Sequence, residues 1–193
     1  MHWGAMDNVG SEHVVDGTPA SAEIHFVHRK RGDTTGTRGD SFAVVGVMAV
    51  ANDSEAIAGV WSALNVEEVQ GTGGEFNTTV NFYDLLPSGR SYYYYEGSLT
   101  TPNCSEVVQW FLLEETISIP SAYLAQLREV EENEEGDRLT FNYRSTQDLA
   151  GRQVSRYPAS PSPSPSPSPS SGVGLLPTIS LLSMLLLAFH ALL

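Results

Sequence analysis

Glu23 and His25 stand two residues apart in the run Ala22-Glu23-Ile24-His25-Phe26-Val27-His28. Side chains alternate along an extended chain, so Glu23, His25 and Val27 share one face while Ile24, Phe26 and His28 share the other. An ordinary half-buried strand holds apolar residues on its inward face, so a carboxylate beside an imidazole there suggests an acceptor orienting a histidine. Two chemistries use that pairing: a buried histidine hydrogen-bonded for structure, and a histidine presented as a metal ligand. The strand by itself leaves both open. Parity turns His28 away from His25, and it is read, with His13, as a structural histidine.

The elements around this strand define a mainly β domain. Gly10 to Gly17 is a short strand-like piece bounded by glycines, and Arg31 to Asp40 is a loop by composition. Phe42 to Val50 is continuously apolar, as a central strand buried on both faces would be. Asp53 or Ser54 can cap a helix in which Ile57, Val60, Trp61 and Leu64 recur at one-face spacing, a core stripe. After a Gly-rich turn at Gly71 to Gly74 come the four tyrosines Tyr92 to Tyr95 and the β-prone run Val107 to Leu113. Pro120-Ser121 opens a short helix with Tyr123, Leu124 and Leu127 inward, and Leu139 to Tyr143 reads as a late strand. No internal repeat is present.

Among 193 residues the formal net charge is −13, which argues against nucleic acid as a partner because a phosphate-binding surface needs clustered Lys and Arg. The run Arg29-Lys30-Arg31 reads as a solvated turn, and the acidic residues from Glu129 to Glu135 as an exposed helix end or loop. Cys104 is the single cysteine and cannot form a disulfide within this chain. Sequons at Asn52, Asn77 and Asn103 lean toward secretion. The opening Met1-His2-Trp3-Gly4 has neither charged leader nor apolar segment, so no signal peptide is expected within the chain.

From Pro158 to Ser171 proline and serine essentially alternate, a composition that forms an extended, solvated stalk rather than a core. Residues 175–193 are apolar apart from a few hydroxyls, Pro177 and His190, and no Lys or Arg follows them as a cytoplasmic stop. Small residues at Ser170, Ser171 and Gly172, a spacer and an apolar end fit a glycosylphosphatidylinositol attachment signal; a retained membrane anchor is the alternative. The expected organisation is a folded domain over 1–157, a stalk over 158–174 and a hydrophobic tail over 175–193.

The stretch Gly97-Ser98-Leu99-Thr100-Thr101-Pro102, with Tyr95 before it and Val107-Val108-Gln109-Trp110 after it, resembles the α-class carbonic anhydrases. So do Met1-His2-Trp3-Gly4, Gly10-Ser11-Glu12-His13, Ala22 to His28 and Leu85-Leu86-Pro87, which occur in the family's order across residues 1 to about 157. The resemblance implies a large, mostly antiparallel sheet with a few short helices, Zn2+ as cofactor, and reversible hydration of carbon dioxide to bicarbonate. It implies His2 and His25 as zinc ligands, Glu23 as the carboxylate holding His25, and Thr100 as a hydroxyl that gives its proton to Glu12. By the same resemblance Val27, Val44, Leu99 and Trp110 form the apolar wall, Thr101 the pocket edge, Tyr95 a support for the Thr100 loop, and Asn142 and Arg144 braces of the wall. Cys104 matches a cysteine that pairs with one near the N-terminus in secreted members.

The chain departs from the family in one respect that matters for chemistry. The family pattern is His-Phe-His-Trp-Gly, and Met1 stands at the intervening position, so only two of three histidine ligands are present. The expectation is an N-terminally truncated form of a secreted, membrane-anchored carbonic anhydrase at the cell surface, binding zinc weakly and inactive alone. The alternative is a non-catalytic carbonic-anhydrase-like domain displayed on a stalk as a binding module.

Overall fold

The computed structural model describes residues 1–53, 60–61, 64, 81–130 and 136–159. Its centre is a seven-stranded sheet in the order β1 (His2–Trp3), β4 (Ala22–Arg29), β5 (Phe42–Ala51), β7 (Val108–Leu113), β6 (Tyr92–Gly97), β9 (Ser155–Tyr157), with β8 (Ile117–Ile119) also on β5. Pairing is antiparallel except between β5 and its two partners β7 and β8, so the sheet is mixed but mostly antiparallel, as expected. A small hairpin of β2 (Val14–Val15) and β3 (Thr18–Pro19) stands apart. Its turn residues Asp16 and Gly17 both have positive φ, 51° and 75°, the backbone hand that matches strand twist in a two-residue hairpin.

Register divides the sheet into two faces with different contents. Trp3, Ala22, Ile24, Val47, Ala49 and Leu113 lie on the back face and form the main core with Trp61 and the helix α1 (Ser121–Arg128). That helix buries Tyr123, Leu124 and Leu127, the three residues its spacing predicts. Trp61 packs its ring 5.1 Å from Tyr123 and donates its indole N–H to the Ser118 carbonyl. Arg128, the last residue of α1, donates to the Gly4 carbonyl and to Asp7, and so clamps the helix end to the first loop. The front face carries His2, Glu23, His25, Val44, Gly46, Trp110, Leu112 and Tyr95, aligned by the pairs His2↔Glu23, His25↔Gly46, Val44↔Trp110 and Tyr95↔Trp110.

One sequence expectation changes. Leu139 to Tyr143 forms no strand; instead Asn142 gives its N–H to the Trp3 carbonyl and takes the Trp3 N–H on its side-chain oxygen, while the Leu139 carbonyl accepts the Trp3 indole N–H. Asp53 accepts the Ser121 N–H at the start of α1, at 2.9 Å, so its carboxylate serves the later helix. The helix expected after Asp53 falls mostly outside the described residues, although Val60 and Trp61 are helical. Asn77, Ser170, Ser171, Gly172, the stalk from residue 160 and the tail also lie outside them. Among the described residues no helix is long and apolar enough to cross a membrane. Asn52 and Asn103 are exposed, and Cys104 is half-buried in a turn closed by its N–H to the Thr101 carbonyl.

Candidate metal centre

Glu23 is fully buried, at 0% exposure, and organises the front face. Its Oε2 accepts the backbone N–H groups of Glu12 at 2.9 Å and His13 at 2.8 Å. Its Oε1 lies 2.5 Å from His13 Nδ1 and 2.8 Å from His25 Nε2. Burial pulls the Glu23 carboxyl upward, but the hydrogen bonds from His13 and His25 outweigh it and hold the group well below the usual carboxylate range. Gly46, opposite His25 on β5, makes room for this carboxylate: a Cβ there would lie 3.1 Å from Glu23 Oε1 and from Leu112 Cδ1.

An ionised carboxylate only accepts, so the nitrogen facing it carries the proton in each imidazole. His13 therefore donates from Nδ1 and accepts at Nε2 from the Tyr95 hydroxyl, 2.7 Å away. Burial raises the Tyr95 phenol, which stays protonated as that donor. This is where Tyr95 differs from the expectation: its hydroxyl is spent on His13, while the loop after Gly97 is held by Trp110 Nε1 on the Ser98 carbonyl and by Arg144 on Ser98 Oγ. His13 is structural, as read from the sequence, but it belongs to the same network as His25.

His25 donates from Nε2 to Glu23, which leaves Nδ1 with its lone pair. His2 is pinned in the opposite sense, its Nδ1 lying 2.9 Å from the Asn142 carbonyl, so its Nε2 carries the lone pair. Burial holds the His2 imidazole below the ordinary histidine value, against the upward pull of that carbonyl. Both free nitrogens face Glu12. Its Oε2 is 3.3 Å from His2 Nε2 and 3.9 Å from His25 Nδ1, and it accepts no hydrogen bond among the described residues. Glu12 Oε1 is satisfied by the Arg144 N–H at 2.7 Å.

Donor atoms of His2, Glu12 and His25 lie within 4.8 Å of one another, as do those of His13, Glu23 and His25. Only the first group fits a cation. In the second, both imidazole nitrogens already hold protons directed at Glu23, so a metal would have to displace them. In the first, each imidazole has its outer nitrogen fixed by an acceptor, the arrangement that orients histidines on zinc.

The remaining predicted residues fall in two groups. Val44 and Trp110 are buried with Val107 and Val108, and Leu99 packs against them. Val27, in contrast, is 58% exposed and outside that cluster, and Thr101 is exposed. Thr100 lines a cavity of about 520 Å³ with Glu12, His13, Tyr95, Trp110 and Arg144. His2 and His25 are not among its walls, but Glu12, which faces both imidazoles, and Trp110, whose ring lies 4.8 Å from that of His25, are. The expected relay is not formed: among the described residues Thr100 makes no hydrogen bond to Glu12, whose two oxygens face Arg144 and the imidazoles.

A family model described as eukaryotic-type carbonic anhydrase matches residues 1–158. Carbonic anhydrase 3 of Sus scrofa is 37% identical over 162 residues, covering 80% of this chain and 62% of that protein. Carbonic anhydrase 1 of Oryctolagus cuniculus is 37% identical over 163 residues, covering 80% of this chain and 69% of its own. Carbonic anhydrase 3 of Equus caballus is 38% identical over 162 residues, with 62% of its length covered. With this sheet and the paired, oriented imidazoles of its front face, the chain belongs to the eukaryotic-type carbonic anhydrase family. It spans 62% of the length of the porcine relative, less than two thirds.

Proposed function

We propose that the protein is a zinc-dependent carbonate dehydratase that interconverts carbon dioxide and bicarbonate. The observation that carries this reading is the convergence of His2 Nε2 and His25 Nδ1, each with its other nitrogen pinned, beside a cavity walled by Trp110 and Thr100. Zinc bound there supplies Lewis acidity that brings a water within reach of deprotonation near neutral pH. His2 and His25 hold the ion, while Asn142 and Glu23 fix their tautomers and ring planes. Trp110, backed by the buried Val44, offers apolar surface at the cavity wall to carbon dioxide, which has no hydrogen to donate. Thr100 lines the cavity, where its hydroxyl and backbone N–H are the groups that would bind an oxygen of bicarbonate.

The test is zinc content and carbon dioxide hydration, measured on residues 1–193 and on the same chain with Met1 replaced by the family's His-Phe pair, which puts the added histidine two residues before His2 and on its face. The extended form is expected to hold one zinc and to hydrate carbon dioxide, with His25→Ala removing both. An extended form without zinc and without activity would favour the binding-module reading instead.

We further propose attachment at the cell surface, supported by the Pro/Ser run and the apolar residues 175–193. Expressed behind a secretory leader in animal cells, the protein is expected to be released by a phosphatidylinositol-specific phospholipase. Retention on the membrane after that treatment would point to a spanning anchor.

A further inference from the structure

We propose that the loop between β4 and β5 is a recognition element, in which Arg38, Gly39 and Asp40 present a guanidinium and a carboxylate to a cell-surface receptor whose binding site holds a divalent cation beside an acidic pocket. This goes beyond carbon dioxide hydration. It rests only on the extracellular placement proposed above, because such a receptor must be able to reach the loop.

The tripeptide Arg-Gly-Asp occurs twice in this loop, at residues 31–33 and again at 38–40. The fold accounts for the first copy. Gly32 has a φ of 79°, a backbone state that favours glycine. Asp33 is spent inside the loop, its Oδ1 accepting the N–H groups of Thr35 and Gly36, each at 2.9 Å, and its Oδ2 the Ser41 hydroxyl. The second copy differs. Gly39 has no positive φ, and a Cβ there would meet no atom of the described residues within 4 Å, so nothing in their packing calls for glycine. The side chains of Arg38 and Asp40 are 64% and 39% exposed. Asp40 is paired with Lys30 and, at 3.6 Å, with Arg38 Nε. Exposed pairs of this kind contribute little and yield to a stronger partner.

Presentation is still ordered. Ser41, which is fully buried, takes the Arg38 N–H on its hydroxyl oxygen at 2.9 Å and returns its own N–H to the Arg38 carbonyl at 3.0 Å. Arg38 to Ser41 is therefore a closed four-residue turn, fixed from within by the aspartate of the first copy. Fixing Gly39 and Asp40 in advance lowers the ordering cost of binding. The partner follows from the chemistry. A carboxylate is a hard oxygen donor that Mg2+ and Mn2+ accept, a guanidinium fork fits an acidic pocket, and a residue without a side chain between them lets a receptor approach the backbone. Four of the ten Lys and Arg residues lie between positions 29 and 38, so on a chain of net charge −13 this loop carries the charge that an acidic receptor attracts.

The experiment measures binding of purified residues 1–193 to the ectodomain of an integrin chosen for Mn2+-dependent binding to free Arg-Gly-Asp-Ser peptide. Purified protein separates recognition from anchoring, which phospholipase release tests, and from carbon dioxide hydration, which is assayed independently. Wild type is expected to bind saturably, to release the receptor on addition of EDTA and to be competed by the free peptide. Asp40→Glu, which keeps the charge but moves the carboxylate by one methylene, and Gly39→Ala are each expected to weaken binding at least about 30-fold, as loss of an interface hot spot does. Both should melt with wild type, since Asp40 is exposed and a Cβ at Gly39 has room. Arg31→Lys, which alters only the first copy, should bind as wild type does. Absence of binding, binding that survives EDTA, or an Asp40→Glu affinity within about threefold of wild type would overturn the proposal. So would a loss on Arg31→Lys as large as that on Asp40→Glu, which would assign recognition to the first copy.

Discussion

Glu23→Ala is expected to cost about 3–5 kcal/mol of folding free energy, the range for removing one partner of a buried charge network. Four donors depend on Glu23: two imidazole N–H groups and the backbone N–H groups of Glu12 and His13. Without it all four stay buried and unsatisfied, and His25 loses the tautomer that leaves Nδ1 free. Glu23→Gln should recover only part of the loss, because an amide offers one acceptor oxygen and turns its NH2 toward donors. Urea denaturation of the three proteins measures this, and a Glu23→Gln midpoint equal to wild type would contradict it. The same carboxylate sets a pH dependence. Its folded pKa is depressed, so its contribution is fully present above the unfolded value of about 4.3 and is lost as pH falls through the lower folded value. Acid should therefore destabilise the wild type below about pH 5 more steeply than it destabilises Glu23→Gln.

Gly10→Ala is expected to be comparably severe for a different reason. A Cβ at Gly10 would collide with the Ser21 carbonyl and sit 2.6 Å from the Gly4 nitrogen, and both neighbours are backbone. No rotamer change relieves such a contact. The cost is expected at or above the top of the about 1–3 kcal/mol usual for overpacking. Gly4 has the mirror problem against the Val9 carbonyl. This glycine contact lets three chain segments approach, those that carry His2, Glu12 and Glu23, so Gly10→Ala should also lower zinc uptake. Thermal melting and zinc stoichiometry measured side by side check both halves, and a variant with wild-type values in each would refute the reasoning.

Much of this site was legible from one strand. The alternation of Ala22 to His28 put Glu23 and His25 on one face, and the ladder to β1 and β5 keeps them there beside His2. Helix α1 was legible for the same kind of reason, a local period with a strong apolar stripe. What escaped were contacts made by backbone atoms across long separations. The Asn142 carbonyl that fixes His2 is 140 residues away in sequence, and nothing in a carbonyl marks it beforehand. Leu139 to Tyr143 has the composition of a strand, yet its backbone groups go to separate partners, Leu139 to Val130 and Asn142 to Trp3, and the Asn142 side chain takes the Trp3 N–H that a longer ladder would have used. Val27 shows the limit of parity: it faces the same way as His25, but near the end of β4 no element among the described residues covers it. The partners of Tyr95 and Asp53 were missed because a hydroxyl or a carboxylate in sequence does not say which of several nearby donors and acceptors it will meet.

Strand β5 is paired along one side with β4 and along the other first with β7, then with β8. It contributes Val47 and Ala49 to the back core and Val44 and Gly46 to the histidine face. Separating β5 from either neighbour thus breaks both faces at once, and the imidazole pair has no opening of its own that spares the core. The histidine site and the helix-covered core constitute one cooperative unit, in which the free energy of exposing His25 approaches that of global unfolding. The short, exposed β9, paired with β6 at the sheet's edge and tied to Glu114 by Arg156, can fray without involving either.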